Sequence, residues 1–265
     1  MDLGAFPSSP ADAVPWITVA QMRDVDRVAI ELGVTLPRMM ENAGAHLATV
    51  ALALLSNDAR GRTIAVLAGR GGNGGGGLVA ARRLIGWGAD VEVRLSDDPE
   101  SLAPVPREQL QILRVTGASV AVGAGGMQTP DLFIDALLGY SQDGAPRGGA
   151  GELIAAASGA PVLSLDVPSG LALEDGTVYE PAVRADATVT LALPKGGLRH
   201  DDARRVVGEL YLADIGIPPE VYARLGIDYR SPYLYHLVVN SGKLSDAIAA
   251  DLIASLARKK SPRPG

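Results

Sequence analysis

Short apolar runs recur along most of the chain, and segments with helical patterns separate them. Runs of four to six apolar residues bounded by glycine, proline or polar residues are typical of buried strands. Such runs predict seven strands, at 64–69, 91–95, 119–122, 132–136, 161–165, 188–193 and 209–213. Helical patterns between them, at 78–84, 104–115 and 152–158, predict an α/β fold with a doubly wound, mainly parallel sheet and helices on both faces.

Two further helices are predicted before the first strand. Thr18 and Gln21 have the spacing of a capping box, and a helix follows them over residues 19–32. A second helix is predicted over 35–55, with Pro37 in its first turn. Because both helices precede the sheet in the chain, we expect them to pack outside it or to form a subunit contact.

The segment between the first strand and the next helix is rich in glycine. Residues 69–77 read GRGGNGGGG, although glycine in a helix interior costs roughly 1 kcal/mol relative to alanine. We therefore interpret 69–77 as a loop whose glycines supply positive φ angles and bring backbone N–H groups close to a ligand. A strand, such a loop and a helix N-terminus together favour a phosphate or nucleotide site. A flexible surface turn is the alternative, and a Walker loop is excluded because no Lys-Ser or Lys-Thr pair follows.

Composition narrows the class of protein. The chain has 265 residues, of which 47% are apolar and 20% charged, and its net charge is −6. That charge argues against nucleic acid as a partner. The absence of cysteine excludes disulfides, thiolate metal sites and a cysteine nucleophile. The three histidines are too scattered for a zinc site, and neither a signal peptide nor a membrane-spanning run is evident, so we expect a cytoplasmic protein without a membrane partner.

The two ends of the chain differ from the rest. Residues 1–15 contain three prolines and are predicted to be a flexible leader, whereas 16–229 carry the α/β pattern. Residues 230–265 form a C-terminal extension in which leucine or isoleucine recurs every fourth residue from Leu244 to Leu256, which predicts an amphipathic helix. That helix either docks on its own domain or binds a partner or a second copy.

Three of the predicted strands end beside residues that can carry chemistry. In an open parallel sheet, ligands bind beyond the carboxyl ends of the strands. Asn73 lies in the glycine segment, Asp135 ends the fourth strand, and Asp166 follows the fifth. Two carboxylates and an amide oxygen at one edge suit a cation that prefers oxygen, or an acid–base pair. The alternative is that both aspartates cap turns.

Five segments, in order along the chain, match motifs of one family. They are 40–44 (MENAG), 69–77 (against G-x-G-N-N-G-G-D-G), 135–139 (DALLG), 165–171 (LDVPSGL) and 192–198 (ALPKGGL, against A-P-K-x-G-L). With them the chain resembles the YjeF N-terminal family, whose best-known members are NAD(P)H-hydrate epimerases. The resemblance covers residues 18 to about 219. It implies a Rossmann-like, three-layer fold that is often a homodimer.

The resemblance also implies an activity. Members of the family are isomerases that bind hydrated NADH or NADPH and interconvert the R and S configurations at the hydroxylated ring carbon. A separate dehydratase then restores the cofactor from the same metabolite. No dehydratase sequence follows in this chain, so we expect a stand-alone epimerase with a small nucleotide substrate.

Residue roles carry over position by position from the family motifs. The resemblance implies that Asn73, Asp135 and Ser169 bind a potassium ion and that Asp166 contacts the substrate. Because a carboxylate could stabilise the ring cation or move the hydroxyl proton, we expect Asp166 to be the catalytic group. The other implied substrate contacts are Gly72, Asn73, Gly74, Gly75, Gly76, Gly139, Tyr140, Ser141, Gln142, Asp143, Gly144 and Ala145. No organic cofactor beyond the substrate is implied.

The chain departs from the family pattern at a few positions. Gly72 replaces an asparagine, Gly76 replaces an aspartate that contacts substrate, and Tyr140 with Ser141 replaces Thr-Gly. Losing the carboxylate at position 76 would leave anion binding intact while weakening recognition of the ribose or the ring. A non-catalytic nucleotide-binding or scaffold protein, and an enzyme with a diverged nucleotide-like substrate, are therefore the alternative hypotheses.

An ordinary dehydrogenase is disfavoured. The G-x-G-x-x-G match at 69–74 is weak, and no acidic residue clearly ends the second predicted strand, where a ribose would be held. Glu92 lies inside that strand, whereas Asp97 and Asp98 lie just past it.

Overall fold

Within the part of the chain that the structure describes, seven parallel strands form a single sheet. The structure is a computed structural model that describes residues 14–229. The strands are β1 Thr63–Ala68, β2 Asp90–Leu95, β3 Ser119–Val122, β4 Leu132–Ala136, β5 Val162–Leu165, β6 Ala187–Leu191 and β7 Glu209–Ala213. All seven predicted strands are present, with ends within two residues of the predicted ones. The predicted leader (residues 1–13 of it) and the amphipathic extension lie outside the described residues.

Helices cover both faces and one end of the sheet. They are α1 Val19–Glu31, α2 Leu36–Leu54, α3 Gly72–Gly86, α4 Pro104–Arg114, α5 Gly148–Ala156, α6 Arg204–Val207 and α7 Pro219–Arg224, with 3₁₀ turns at Pro99–Ser101 and Gly196–Arg199. The sequence did not predict α6 and α7, which are too short to show helical periodicity. The first helix does start as predicted, with the Thr18 hydroxyl accepting from the Gln21 N–H at 3.1 Å and the Gln21 side chain accepting from the Thr18 N–H at 2.9 Å.

Side chains of β1 point alternately to the two faces of the sheet, and each face packs against helices. Ile64, Val66 and Ala68 lie in the apolar cluster formed with α2, α3 and α4. Ala65 and Leu67 lie in the cluster on the opposite face, which contains side chains of α5. Because both faces of β1 are covered, the strand reads as a continuous apolar run, as expected for a central parallel strand. The doubly wound architecture predicted from the sequence is therefore confirmed.

The strand order places a crevice beside β1. The order across the sheet is β3-β2-β1-β4-β5-β6-β7, so the chain winds outward from β1 to β3 and then returns to the other side of β1. The direction of winding reverses between β1 and β4. Ligands of doubly wound sheets bind beyond the carboxyl ends of the strands at such a switch point. The segments that follow β1 and β4 are the glycine segment and residues 137–147.

The first helix is tied to the segment that follows β6. The Ile17 N–H donates to the Pro194 carbonyl at 3.0 Å, and the Gly196 N–H donates to the Ile17 carbonyl at 2.9 Å. Side chains of α1 and α7 share one apolar cluster with Leu193. These contacts hold α1 close to the carboxyl edge of the sheet. Within residues 14–229, no helix has both the length and the apolar character needed to cross a membrane.

Candidate functional site

A cavity of about 930 Å³ opens at the carboxyl edge of the sheet. Its size is within the usual range for a small-molecule site. The residues that line it after successive strands are Gly69, Arg70, Gly71, Gly72 and Asn73 (β1), Ser96 and Asp97 (β2), 137–147 (β4), Asp166 (β5), and Leu191 and Lys195 (β6), with Asp26, Leu36, Met39, Met40, Ala43, Ala150, Leu165 and Ile215 beside them. The cavity therefore spans the switch point and its neighbouring strands.

The glycine segment is organised differently from the prediction. Helix α3 begins at Gly72, so the run 74–77 lies inside the helix and not in a loop. No glycine of 69–77 has a positive φ angle. The prediction that these glycines supply positive φ angles is therefore wrong.

Close packing of α3 explains why glycine occupies these positions. Real Cβ atoms do not approach other heavy atoms closer than about 3 Å. A Cβ would lie 1.7 Å from the Gly69 carbonyl oxygen at Gly74, 2.3 Å from Met40 Sδ at Gly75, 2.7 Å from Leu165 Cδ2 at Gly76 and 2.6 Å from Ala136 Cβ at Gly77. The run thus lets α3 lie directly against β1, β4, β5 and α2. Gly74, Gly75 and Gly76 are buried by this packing and do not line the cavity, so their contact with substrate stays a prediction.

At the start of α3, the backbone of Gly71 and Gly72 faces the cavity. A Cβ at Gly71 or Gly72 would meet no heavy atom within 4 Å, and both residues line the cavity. No side chain caps the helix. The Gly75 N–H donates to the Gly71 carbonyl at 3.1 Å, and the N–H groups before it have no partner inside an α-helix. Together with the helix dipole, these N–H groups favour an anion.

Asn73 joins three elements at the edge of the sheet. Its Nδ2 donates to the Leu138 carbonyl at 2.9 Å and to the Leu165 carbonyl at 3.2 Å. Leu138 follows β4, and Leu165 ends β5. Asn73 therefore lies on the cavity wall and fixes the positions at which the two aspartate-bearing strands end.

Asp135 lies behind the cavity wall. Its carboxylate is fully buried and accepts four hydrogen bonds. Oδ1 accepts from the Leu137 N–H at 3.2 Å and the Ser169 hydroxyl at 2.6 Å, and Oδ2 accepts from the Ser164 hydroxyl and the Ser169 N–H, both at 2.8 Å. Burial raises the pKa of Asp135, and the hydrogen bonds from Ser169 oppose that rise. Neither Asp135 nor Ser169 lines the cavity.

The residues that the resemblance assigns to potassium are close neighbours. The Ser169 hydroxyl donates to Asp135 and accepts from the Leu138 N–H at 3.0 Å, and Asn73 bonds to the carbonyl of the same Leu138. Their donor set is a carboxylate, a hydroxyl, an amide and nearby backbone carbonyls, which suits a hard cation. Within residues 14–229, no group of three or more His, Asp or Glu is placed to hold a metal. The chemistry of this oxygen set fits a monovalent ion better than a divalent one, which would need more carboxylates.

Asp166 has an unusual backbone conformation. Its φ angle is +66°, and the Val167 N–H donates to the Leu165 carbonyl at 2.8 Å, so the chain turns sharply at Asp166. Ala192, after β6, repeats this arrangement with a φ angle of +62°. Residues other than glycine in this region are strained by about 1–3 kcal/mol and occur often at functional sites. The turn directs the Asp166 side chain to the cavity.

The Asp166 carboxylate is paired with Lys195. Oδ1 accepts from Lys195 Nζ at 2.5 Å, and Oδ2 accepts from the Tyr140 N–H at 3.0 Å. Lys195 also donates to the Leu191 carbonyl at 2.9 Å, and its residue is only 1% exposed. The sequence did not assign a role to Lys195, although the lysine of the ALPKGGL segment was visible as a charge between apolar residues. The structure brings it into the site from the end of β6.

Tyr140 connects the segment after β4 to helix α1. Its hydroxyl donates to Asp26 Oδ2 at 2.6 Å, and its ring lies 5.7 Å from Lys195 Nζ. Burial raises the pKa of Asp26, and burial together with the Asp26 charge raises the pKa of the Tyr140 hydroxyl. Sequence analysis missed Asp26, because nothing in a helix that precedes the sheet indicates which of its acids reaches the cavity.

The remaining predicted contacts form one wall of the cavity. Gln142 anchors this wall to the segment after β5, since its Oε1 accepts from the Gly170 N–H at 2.9 Å and its Nε2 donates to the Leu171 carbonyl. The other predicted contacts that line the cavity here are Gly139, Tyr140, Ser141, Asp143, Gly144 and Ala145. Of all the predicted site residues, the structure thus brings 72–73, 139–145 and Asp166 around one cavity.

Comparison with known proteins agrees with the resemblance seen in the sequence. The family model for the YjeF-related protein N-terminus matches residues 37–197. An NAD(P)H-hydrate epimerase of Dehalogenimonas lykanthroporepellens is 43% identical over 234 residues, which are 86% of this chain and 94% of that protein. An NAD(P)H-hydrate epimerase of Truepera radiovictrix is 36% identical over 80% of this chain and 94% of its own length.

Two other matches are a longer protein and a solved structure of lower sequence identity. The Bifunctional NAD(P)H-hydrate repair enzyme Nnr of Salinibacter ruber is 37% identical over 82% of this chain, but the chain spans only 44% of that protein. The crystal structure of yeast ynu0 (YNL200c) superposes with a TM-score of 0.70 and covers 82% of this chain and 96% of that one. At 22% identity it supports the fold alone.

Proposed function

Because the chain belongs to the YjeF N-terminal family, we propose that it is an isomerase that interconverts the R and S forms of hydrated NADH and NADPH. One observation carries the proposal beyond family membership. The Asp166 carboxylate, the open start of α3 and residues 139–145 line a single cavity. A diphosphate site and a carboxylate that reaches the same ligand are what this substrate requires.

The start of α3 is the proposed position of the diphosphate. Gly71 and Gly72 present backbone to the cavity, and the helix dipole favours an anion there. Arg70 and Arg147 also line the cavity and add positive charge. With the diphosphate held at the end of β1, the hydrated nicotinamide ring would lie beyond β4 and β5, beside Asp166.

The chemistry at the ring is breaking and remaking one carbon–oxygen bond. The bond at C6 breaks with its electron pair on oxygen, the oxygen takes up a proton and leaves as water, and the ring nitrogen supports the resulting cation. Water then adds from the opposite face and releases a proton. Asp166 would stabilise the cation or carry the proton between these two events. Lys195 and the Tyr140 N–H hold the Asp166 carboxylate in position.

A potassium ion is part of the proposal. Asn73, Asp135 and Ser169 would hold it, and its charge would help to fix the ends of β4 and β5 near the substrate. All four acceptor positions of Asp135 are used by hydrogen bonds, so the Ser169 hydroxyl proton would turn away from Oδ1 when the ion binds. We expect a higher unfolding temperature in potassium chloride than in choline chloride of equal ionic strength, and a smaller difference in Asp135→Asn.

Three further parts of the proposal concern location and partners. We expect the protein to act in the cytoplasm as a homodimer, beside a dehydratase that consumes one of the two epimers. Within a repair sequence, an epimerase is useful only if the consuming enzyme accepts a single configuration. Sedimentation at several protein concentrations tests the dimer.

The activity is tested by following the R to S ratio by proton NMR. A sample enriched in one epimer of hydrated NADH should equilibrate much faster with the protein than without it. If the two rates are the same while the protein still binds the compound, the alternative of a nucleotide-binding scaffold replaces the isomerase.

A further inference from the structure

Asp97 is a carboxylate of the cavity that the proposed chemistry does not use. It is the second residue after β2 and comes directly after Ser96, and both residues line the cavity. Ser96 is held from two sides. Its N–H donates to the Ala68 carbonyl at 3.0 Å, and Gly149 at the start of α5 lies so close that a Cβ there would be 1.9 Å from the Ser96 carbonyl oxygen. Asp97 therefore projects from a fixed point on the rim.

The Asp97 side chain is oriented and still able to bind a ligand. The Ser96 hydroxyl donates to Asp97 Oδ2 at 2.7 Å. Among residues 14–229, no donor and no cationic side chain pairs with Oδ1. Asp97 is half-buried, so its charge is only partly screened by solvent. Oδ1 could accept a hydrogen bond from a ligand hydroxyl at this point, and the carboxylate would repel a ligand anion.

The strand order sets how far Asp97 lies from Asp166. β2 is three steps from β5 across the sheet, through β1 and β4. At about 4.8 Å for each step, the ends of β2 and β5 are about 14 Å apart. The start of α3, after β1, lies between them. A dinucleotide with its diphosphate at α3 and its nicotinamide at Asp166 would thus place its adenosine ribose near Asp97.

We infer that Asp97 accepts a hydrogen bond from the 2′-hydroxyl of that ribose and makes the site prefer hydrated NADH to hydrated NADPH. The inference rests on the proposed function and adds a specificity to it. In NADPH the same oxygen carries a phosphate, which would face the Asp97 carboxylate. An acidic residue after the second strand discriminates in this way in other doubly wound dinucleotide sites.

Arg70 is the group that could reverse this preference. It lines the same cavity, and an arginine near a ribose can hold a 2′-phosphate. Arg70 lies two residues before the start of α3, so we place it beside the diphosphate. Both substrates have this diphosphate. Arg70→Ala should then weaken NADH-type and NADPH-type ligands by the same factor. A selective loss of the phosphorylated ligand would overturn the inference.

The direct test compares kcat/KM for the two hydrated cofactors in the wild type, Asp97→Asn and Asp98→Asn. We expect a preference for hydrated NADH of at least about tenfold in the wild type. Asp97→Asn should lower this ratio by at least about fivefold, mainly by raising kcat/KM for hydrated NADPH. Asp98 is the matched control because it lies outside the cavity, and an asparagine there can still accept from the Glu100 N–H. An unchanged ratio in Asp97→Asn would overturn the inference, and so would equal use of both substrates by the wild type.

A binding measurement separates this inference from the proposed function. Calorimetry with ADP-ribose and with its 2′-phosphorylated form needs no turnover. The wild type should bind ADP-ribose at least about tenfold more tightly, and Asp97→Asn should remove the difference. If the difference is present in a protein that does not epimerise, the ribose site stands and the isomerase fails. If the protein epimerises but binds both compounds equally, the isomerase stands and the ribose site fails.

Discussion

The Lys195 ammonium donates a hydrogen bond to Oδ1 of Asp166 at 2.5 Å, and at most 3% of either side chain is exposed. The pair joins the segments that follow β5 and β6, and so closes one end of the cavity. Its lysine comes from the ALPKGGL segment and its aspartate from LDVPSGL, which are 29 residues apart. This contact holds the proposed catalytic carboxylate in a single orientation.

We predict that Lys195→Met lowers kcat by roughly 10²-fold, because Asp166 loses the charged donor among the groups that orient it. Removing one partner of a buried ion pair also costs roughly 3–5 kcal/mol of stability, since a charge is left unpaired. The double variant Lys195→Met/Asp166→Asn leaves neither charge of the pair unpaired, so it isolates the cost in stability. It should recover part of the stability in urea unfolding and none of the activity. Recovery of activity in the double variant would show that the pair serves the fold alone.

The second prediction concerns Asp135. Each of its oxygens accepts one backbone N–H and one hydroxyl, the N–H groups being those of Leu137 and Ser169. In Asp135→Asn, the amide NH₂ must face one of these N–H groups, and neither can turn round. We expect a loss of roughly 1–3 kcal/mol in the free energy of unfolding. Ser164→Ala, which removes one hydroxyl donor and adds no new one, should cost less, and an equal or larger loss would contradict this account.

Two glycines of α3 give opposite predictions. A Cβ at Gly74 would overlap the Gly69 carbonyl oxygen at 1.7 Å, whereas a Cβ at Gly72 would meet nothing within 4 Å. Gly74→Ala should lower the free energy of unfolding by about 1–3 kcal/mol. Gly72→Ala should leave it unchanged or raise it by up to about 1 kcal/mol. Chemical denaturation of both variants checks this, and similar losses at the two positions would be the contrary result.

Sequence analysis identified the strands because each is a short apolar run, and the parallel sheet followed from their alternation with helices. It misjudged 74–77, because a glycine run is typical of loops and the backbone contacts that require glycine in α3 are made by distant segments. For the same reason it missed Lys195 and Asp26. Lys195 meets Asp166 only through the folded position of the segment after β6, and Asp26 meets Tyr140 only through the folded position of α1.

The fourth prediction is a pH dependence that comes from Asp26. Burial raises the pKa of Asp26 in the folded protein above the ordinary aspartate value of 3.8. Between these two pKa values the folded state binds more protons than the unfolded chain, so stability falls as pH rises through that window. Asp26→Asn removes this contribution while its amide oxygen can still accept from the Tyr140 hydroxyl.

Urea unfolding of the wild type and Asp26→Asn between pH 4 and pH 7 measures the effect. The stability of the wild type relative to the variant should decrease with rising pH and become constant above the raised pKa. Burial raises the pKa of Asp135 as well, but that residue is present in both proteins and cancels in the difference. A relative stability that increases with pH would have the wrong sign for a raised pKa.

The central claim is that Asp166 performs the interconversion of the two epimers. Its most direct test is the rate at which hydrated NADH of one configuration equilibrates, followed by proton NMR, with Asp166→Asn set against the wild type. Asp175→Asn, at an exposed turn away from the cavity, is the control for replacing an aspartate by asparagine. We predict fast equilibration with the wild type and Asp175→Asn, and a rate lower by roughly 10²-fold or more with Asp166→Asn. Equal rates for the wild type and Asp166→Asn would contradict the account.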